Sequence, residues 1–183
     1  MGMNTLSKLP TDLTRRRGMI LILTADKALA GITEFIAAQI LHGPLFVVSG
    51  NEWLPAFELT RLIRKRTLQV RETLNRLYTT RASTCYRLFD SLANIPSHGE
   101  PIVVLDFLHT FYDSDIPLRV RLFKLRECCR QLKRLALYRP ILVMAQELEV
   151  EDYEKLIPAL ESVADKTLTL EPEPDQISQT ALF

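Results

Sequence analysis

The chain is poor in the residues that build metal centres and disulfide frameworks. Its 183 residues include three cysteines and three histidines. The cysteines have no CxxC spacing, and two of them, Cys128 and Cys129, are adjacent, which argues against both a zinc site and a disulfide framework. We therefore expect reduced, buried thiols. The histidines are scattered and form no nucleophile–base triad.

Long hydrophobic runs are also missing. The longest apolar run near the N-terminus, Met19–Leu23, is far shorter than the ~20 residues that a membrane helix needs. Arg15, Arg16 and Arg17 precede it, but no apolar stretch of signal-peptide length and no small-residue cleavage site follow. The sequence therefore predicts no membrane segment. We expect a cytoplasmic protein, or a nuclear one if the source is eukaryotic.

Net charge is small, but charge is unevenly placed. The 23 basic and 22 acidic residues give a formal charge of +1, so no overall field for polyanions is expected. Basic residues cluster within 61–81 and 119–139, whereas 147–175 is acidic. This pattern indicates an anion-binding or docking surface, or else solvated helix faces that balance each other. The residues expected on a nucleic-acid or partner surface are Arg61, Arg64, Lys65, Arg119, Arg126, Arg130 and Lys133.

What remains is the pattern of an α/β domain. Short, continuous apolar runs alternate with helical periodicity, which predicts a mostly parallel sheet covered on both faces, a three-layer α/β/α fold. The predicted strands are 19–23, 45–48, 77–80, 102–105, 141–145 and 167–170. The predicted helices are 31–41, 55–66, 84–93, 117–137 and 152–164. We assign 1–18 to an N-terminal extension, 19–170 to one core domain and 171–183 to an acidic C-terminal tail.

Several segments carry a family resemblance. They are LFVVSGNEWLPAFE (45–58), LYTTRAS (77–83), IVVLDFLHTF (102–111) and VMAQ (143–146). In this order they resemble the core of RecA/RadA-type recombinases and their paralogues, over Met19–Leu170. The resemblance implies a RecA-like P-loop NTPase core. It places Asp106 at the Walker B carboxylate and Gln146 at the polar sensor position.

The same resemblance places the phosphate loop at Asp26–Thr33. A working loop has the pattern Gly-x-x-x-x-Gly-Lys-Ser/Thr. Gly31 and Thr33 match it, but Asp26 replaces the first glycine and Ile32 replaces the lysine that neutralises phosphate charge. The glutamate that orients the attacking water falls at Gly50. We therefore expect a pseudo-ATPase with no catalytic residue, no metal site and no cofactor. Weak ATP/Mg binding stays open at a remnant formed by Lys27, Gly31, Thr33, Asp106 and Gln146.

The resemblance thus implies a non-catalytic recombinase paralogue, an accessory or scaffold protein in homologous recombination or DNA repair. Its expected partner is a RecA-family or paralogue protein, and a SWIM zinc-finger protein is a further candidate. The segments matching the family's DNA-contacting loops, 112–121 and 146–156, carry many carboxylates, which repel phosphates. One alternative is a DNA-binding module that uses the basic helices. Another is a nucleotide sensor with a non-standard site.

Overall fold

Six parallel strands form the centre of the molecule. The computed structural model describes residues 17–24, 29–51, 54–146 and 153–170. The sheet has the order β3-β2-β4-β5-β1-β6, and every pairing is parallel. The strands are β1 (Gly18–Thr24), β2 (Leu45–Ser49), β3 (Leu77–Arg81), β4 (Ile102–Leu105), β5 (Pro140–Gln146) and β6 (Lys166–Leu170).

Helices connect the strands and cover both faces of the sheet. They are α1 (Leu29–His42), α2 (Ala56–Arg64), α3 (Val70–Leu74), α4 (Cys85–Asn94), α5 (Leu118–Ala136) and α6 (Tyr153–Glu161). The predicted three-layer α/β/α fold with a parallel sheet is confirmed, and it is consistent with a RecA-like core. The boundaries agree with the sequence pattern to within a few residues, because the apolar runs and helical stripes are continuous and bounded by proline, glycine or a cap.

Chain direction decides which face each helix covers. From β1 to β2 to β3 the chain moves one way across the sheet, and from β3 to β4, β5 and β6 it moves back. Because parallel crossovers are right-handed, a reversal of direction sends the later helices to the opposite face. Two separate clusters of buried residues follow: α1 and α2 pack with Val47 and Val103, whereas α4, α5 and α6 pack with Val48 and Val104.

Two short elements were not predicted. The α3 helix occupies a stretch between α2 and β3 for which no element was expected. A 3-10 helix covers Phe107–Phe111, where the sequence suggested a loop. Phe107, Leu108 and Phe111 are buried there. A short turn of helix lets three apolar side chains of one connection enter the core while the backbone keeps its hydrogen bonds.

Candidate functional site

In folds of this kind, ligands bind at the carboxyl edge of the sheet. The binding crevice lies between two neighbouring strands whose following connections go to opposite faces of the sheet. β1 and β5 are such neighbours, and their register pairs Thr24 with Gln146. β2 and β4 are another such pair, with Ser49 opposite Leu105, the residue before Asp106. The structure therefore places Asp106 and Gln146, two of the expected remnant residues, at strand ends on one edge.

Asp106 adopts a left-handed backbone conformation, with φ 50° and ψ 40°. Among the described non-glycine residues it is the only one with positive φ. Aspartate tolerates this conformation better than most residues. Its carbonyl accepts a hydrogen bond from the His109 N–H at 3.1 Å, which starts the 3-10 helix. The turn then carries the chain to Tyr112, whose hydroxyl donates to the Gln146 carbonyl at 3.1 Å.

Gly50, the residue after β2, lies at the same edge of the sheet and contacts the end of β4. Its N–H donates to the Leu105 carbonyl at 2.8 Å. A Cβ atom at this position would lie 2.3 Å from the Asp106 carbonyl oxygen and 3.3 Å from the Leu105 carbonyl oxygen. Both neighbours are backbone atoms, which cannot rotate away. No side chain fits at residue 50 in this arrangement, and this is the position where the resemblance expects a water-orienting glutamate.

The described residues that match the end of the phosphate loop lie in a helix. Gly31 and Thr33 lie inside α1, which begins at Leu29, and the Thr33 side chain is fully buried. A hydroxyl without accessible surface offers no ligand to a magnesium ion in this conformation. Ile32 is buried as well, in the position of the lysine. Lys27 lies outside the described residues. The described part of the loop therefore presents no lysine and no exposed hydroxyl.

The seven expected surface cations form two sets rather than one. Arg61, Arg64 and Lys65 belong to α2 and the turn after it, whereas Arg119, Arg126, Arg130 and Lys133 lie on α5. All seven are exposed. Since α2 and α5 cover opposite faces of the sheet, the two sets do not make a common surface. The acidic tail lies outside the described residues, and so does Trp53, an aromatic residue of the kind that can stack on bases.

Several of these cations are already partnered. Arg61 donates to both carboxylate oxygens of Glu58, and the hydrogen bond lowers the pKa of that carboxyl. Arg130 forms an ion pair with Glu127. Five cations form no ion pair with a described carboxylate: Arg64, Lys65, Arg119, Arg126 and Lys133. These five are the cationic groups most readily offered to an anionic partner.

Three basic residues of the second cluster are structural instead. Arg121 is buried and donates to the Ile116 and Phe111 carbonyls at 2.8 and 3.1 Å. Arg134 donates to Ser97 Oγ and to the Ile95 carbonyl, and Arg139 donates to the carbonyls of the same loop. Sequence reasoning counted these arginines as surface charge. The acceptors of Arg134 and Arg139 lie at the end of α4 and in the loop after it, so no local signal in the sequence marks these two arginines.

The three thiols offer no nucleophile. Cys85, Cys128 and Cys129 are free and buried, as the sequence predicted. Burial raises the pKa of Cys129 to about 12 and the pKa of Cys128 further still, because a thiolate loses its hydration there. Tyr112, another candidate for stacking on bases, is half-buried and packs against the core.

The outer face of α2 adjoins a pocket that sequence reasoning missed. A cavity of about 230 Å³ lies between this helix, α3 and the strands β2 and β3. An open groove of about 600 Å³ runs along Ala56, Phe57, Thr60, Arg61, Arg64 and Lys65. No periodicity reveals a cavity, because it depends on how two helices and a sheet edge meet.

No protein-family model matches the chain, and no curated protein matches its sequence. Among the described residues, no helix is long and apolar enough to cross a membrane. In the same part of the chain, no group of three histidine, cysteine or carboxylate side chains is placed to hold a metal ion.

Proposed function

We propose that this chain is a non-catalytic RecA-like recombinase paralogue that acts as an accessory or scaffold protein in homologous recombination or DNA repair. The observation that carries the proposal is the contact between Gly50 and the Asp106 carbonyl. Where the resemblance expects a catalytic glutamate, the backbone leaves no room for a Cβ atom. The fold is retained while the group that activates water is replaced by tight backbone packing, as expected of a domain kept for binding.

Protein binding is the activity that remains on such a scaffold. The proposed partner is a RecA-family protein or a paralogue, with a SWIM zinc-finger protein as a further candidate. The proposed location is the cytoplasm, or the nucleus in a eukaryotic source. Separate cationic surfaces on α2 and α5 support this role, because charged docking surfaces increase the rate and specificity of encounter.

Affinity purification from source cells, with nuclease added, tests the proposal. We expect a stoichiometric RecA-family, paralogue or SWIM-type partner that survives the nuclease. The purified chain is also expected to hydrolyse no ATP above a blank, and millimolar Mg·ATP is expected to leave its melting temperature unchanged. A partner that disappears with nuclease would contradict the proposal, and so would measurable hydrolysis. A rise in melting temperature with Mg·ATP would favour the nucleotide-sensor alternative.

One observation favours DNA binding as a second candidate. On α5, Arg119, Phe123, Arg126, Arg130 and Lys133 follow each other at steps of four and three residues, and all are exposed. This spacing places them on one outer stripe of the helix. Phe123 is 55% exposed, so an aromatic ring lies among the cations. Cations with an interleaved aromatic are the usual elements of single-strand binding.

Fluorescence anisotropy with a single-stranded oligonucleotide distinguishes this candidate. If α5 binds the strand, affinity falls steeply as salt rises from 50 to 200 mM, since each phosphate contact releases counterions. Arg126→Glu with Lys133→Glu would then abolish binding. The matched control, Arg87→Glu with Lys166→Glu, makes the same charge change at exposed positions elsewhere. Binding that resists salt, or that both double variants weaken equally, would rule the α5 surface out.

A further inference from the structure

The cavity beside α2 is built to hold an apolar group. Its walls include Leu54, Leu59, Leu74 and Leu77, with Thr79 on the side of the edge strand β3. The volume is about 230 Å³. A cavity of ~150 Å³ with apolar walls is large enough for benzene. One leucine or aromatic side chain from outside the described fold would therefore fit.

The basic groove begins at the mouth of this cavity. Ala56 and Thr60 line both spaces. Arg64 follows Thr60 by one helical turn, so its side chain starts about 6 Å farther along the same face. Lys65 lies beside it, and neither forms an ion pair with a described carboxylate. Lys65 is near enough to Glu58 to lower the pKa of that carboxyl, so an anionic group bound here would meet Arg64 first.

An exposed aromatic ring completes the surface. Phe57 is 84% exposed and belongs to the groove, one turn before Arg61. A large apolar side chain at a helix surface loses free energy to hydration that burial against a partner would recover. The groove thus combines an apolar recess, an uncovered aromatic ring and two cations without an ion pair to a described carboxylate, within about two turns of one helix.

We propose that this surface, formed by α2 and the adjoining cavity, is the docking site for an acidic segment of a partner protein. A leucine or aromatic side chain enters the cavity, and carboxylates two to four residues away meet Arg64 and Lys65. The spacing follows from the 6 Å step between Thr60 and Arg64, since an extended chain advances about 3.3 Å per residue. This inference rests on the proposed function as a protein-binding scaffold and assigns the surface and the partner's chemistry.

Charge and polarity together favour a peptide over a nucleic acid here. Nucleic-acid surfaces track a phosphate backbone with many cations, whereas Arg61, the third cation of the groove, is already held by Glu58. Ser49, Thr60, Thr79 and Thr80 contribute hydroxyls to the cavity, but most of its wall is apolar, and a sugar-phosphate group entering it would lose hydration. An apolar amino-acid side chain incurs no such cost.

A displayed library of random 12-residue peptides, selected on the full chain, tests the proposal. We expect enriched peptides to carry one leucine or aromatic anchor with at least two carboxylates within four positions of it. In fluorescence anisotropy, replacing the anchor of the best peptide by alanine should weaken its affinity at least tenfold. Replacing its carboxylates by amides should do the same.

Two variants locate the site. Arg64→Glu with Lys65→Glu reverses the groove charge, and Ala56→Trp obstructs the cavity mouth from an exposed position. Both should lose the enriched peptide, whereas Arg87→Glu with Lys166→Glu should retain it. Because every substituted side chain is exposed, melting temperatures near that of the parent chain are expected for all three.

The outcomes separate this inference from the proposed function. A selection without acidic, anchored peptides overturns the inference, as does a peptide that the α2 variants still bind. Displacement of the peptide by a single-stranded oligonucleotide at equal affinity also overturns it, in favour of nucleic acid. If nuclease-resistant partner capture persists after any of these results, the scaffold function stands and only the site is wrong. If peptide binding succeeds while partner capture fails, the docking site stands and the recombination role is withdrawn.

Discussion

At the scale of the residue, the close approach of the Asp106 carbonyl explains why a glycine stands at position 50. A left-handed aspartate is a strained conformation that the surrounding structure must impose. Here it directs the Asp106 carbonyl toward the chain that leaves β2. The glycine is therefore required by close approach of two backbones. Any larger residue at position 50 would need the turn after β4 to move.

Gly50→Ala is expected to destabilise the fold by about 1–3 kcal/mol, the usual cost of forcing extra atoms into a packed region. The added Cβ would lie 2.3 Å from a backbone oxygen. Urea denaturation measures the change. Gly43→Ala is the matched control, since nothing lies within 4 Å of its Cβ and its φ is not positive. That variant should be neutral or slightly stabilising. Equal effects of the two substitutions would contradict the close-contact argument.

The buried thiols predict how stability depends on pH. Burial raises the pKa of Cys129 from its ordinary 9.0 to about 12, so the folded thiol stays protonated where the unfolded thiol ionises. The contribution of the buried, protonated thiol to the free energy of unfolding is complete below about pH 8. It is lost as the pH rises from 9 toward 12. Within this range the free energy of unfolding falls by about 1.4 kcal/mol per pH unit for each such thiol.

Urea midpoints at pH 8.0 and 10.5 test this prediction. Lysines and tyrosines also titrate in this range, so the comparison is with Cys128→Ala/Cys129→Ala. The parent chain should lose more stability than the variant between the two pH values. The variant is less stable at both, because each alanine leaves a small cavity. Parallel losses in the two proteins would show that the thiols do not contribute.

At the scale of the element, the basic residues of α5 have two roles. Its outer stripe presents exposed cations, while its C-terminal end and the turn after it use arginines as structural donors. Arg134 and Arg139 together hold the chain from Leu92 to Glu100, which leaves α4 and enters β4. Arg139 is 2% exposed, and burial lowers the pKa of its guanidinium. Its charge is retained because backbone carbonyls replace the water it loses.

Arg139→Met is expected to lower the free energy of unfolding by about 3 kcal/mol or more. Methionine fills similar space but leaves the part-buried carbonyls of Pro96, Ser97 and Glu100 without their charged donor, and each hydrogen bond to a charged group contributes about 1.5–3 kcal/mol. Chemical denaturation gives the value. Arg126→Met, at an exposed position of α5, is the control and should cause no measurable change. If both variants have the same free energy of unfolding, the hydrogen bonds of Arg139 do not stabilise the fold as expected.

At the scale of the whole molecule, an ion-dipole contact near the amino edge joins residues 146 positions apart. Asp165 Oδ2 accepts from the Met19 N–H at 2.7 Å, and the Asp165 N–H donates to the Met19 carbonyl at 2.9 Å. Gly18 leaves the space, since a Cβ there would lie 2.8 Å from the carboxylate. The contact sets the register of β6, the outermost of the described strands on that side, against β1.

Asp165→Ala should loosen β6 and leave the rest of the sheet intact. A hydrogen bond to a charged group contributes about 1.5–3 kcal/mol, and the backbone pair with Met19 remains. Hydrogen exchange should accelerate at the amides of β6, whereas protection in β4 and β5 should persist. Asp165→Asn keeps an acceptor oxygen and should retain most of the protection. Uniform loss of protection across the sheet would mean that the contact supports the whole fold.

The sequence predicted the fold well because its signals are local. Ile102–Leu105 is a run of four buried residues and forms β4 with the expected bounds. Pro117 precedes α5, and the Thr84 hydroxyl accepts from the Arg87 N–H at 3.2 Å at the start of α4. Such start signals and apolar periods act within one element. The 3-10 helix at Phe107–Phe111 escaped prediction because its conformation is set by core packing rather than by a local signal.

The sequence by itself determined the succession of strands and helices and the buried thiols, because each depends on residue type and local order. Only the tertiary structure decided how distant residues meet. It separated the cations of α2 and α5, since right-handed crossovers send helices to opposite faces when the chain reverses direction. It also placed the Asp106 carbonyl against Gly50 and opened the cavity beside Thr60, because packing between elements has no one-dimensional signature.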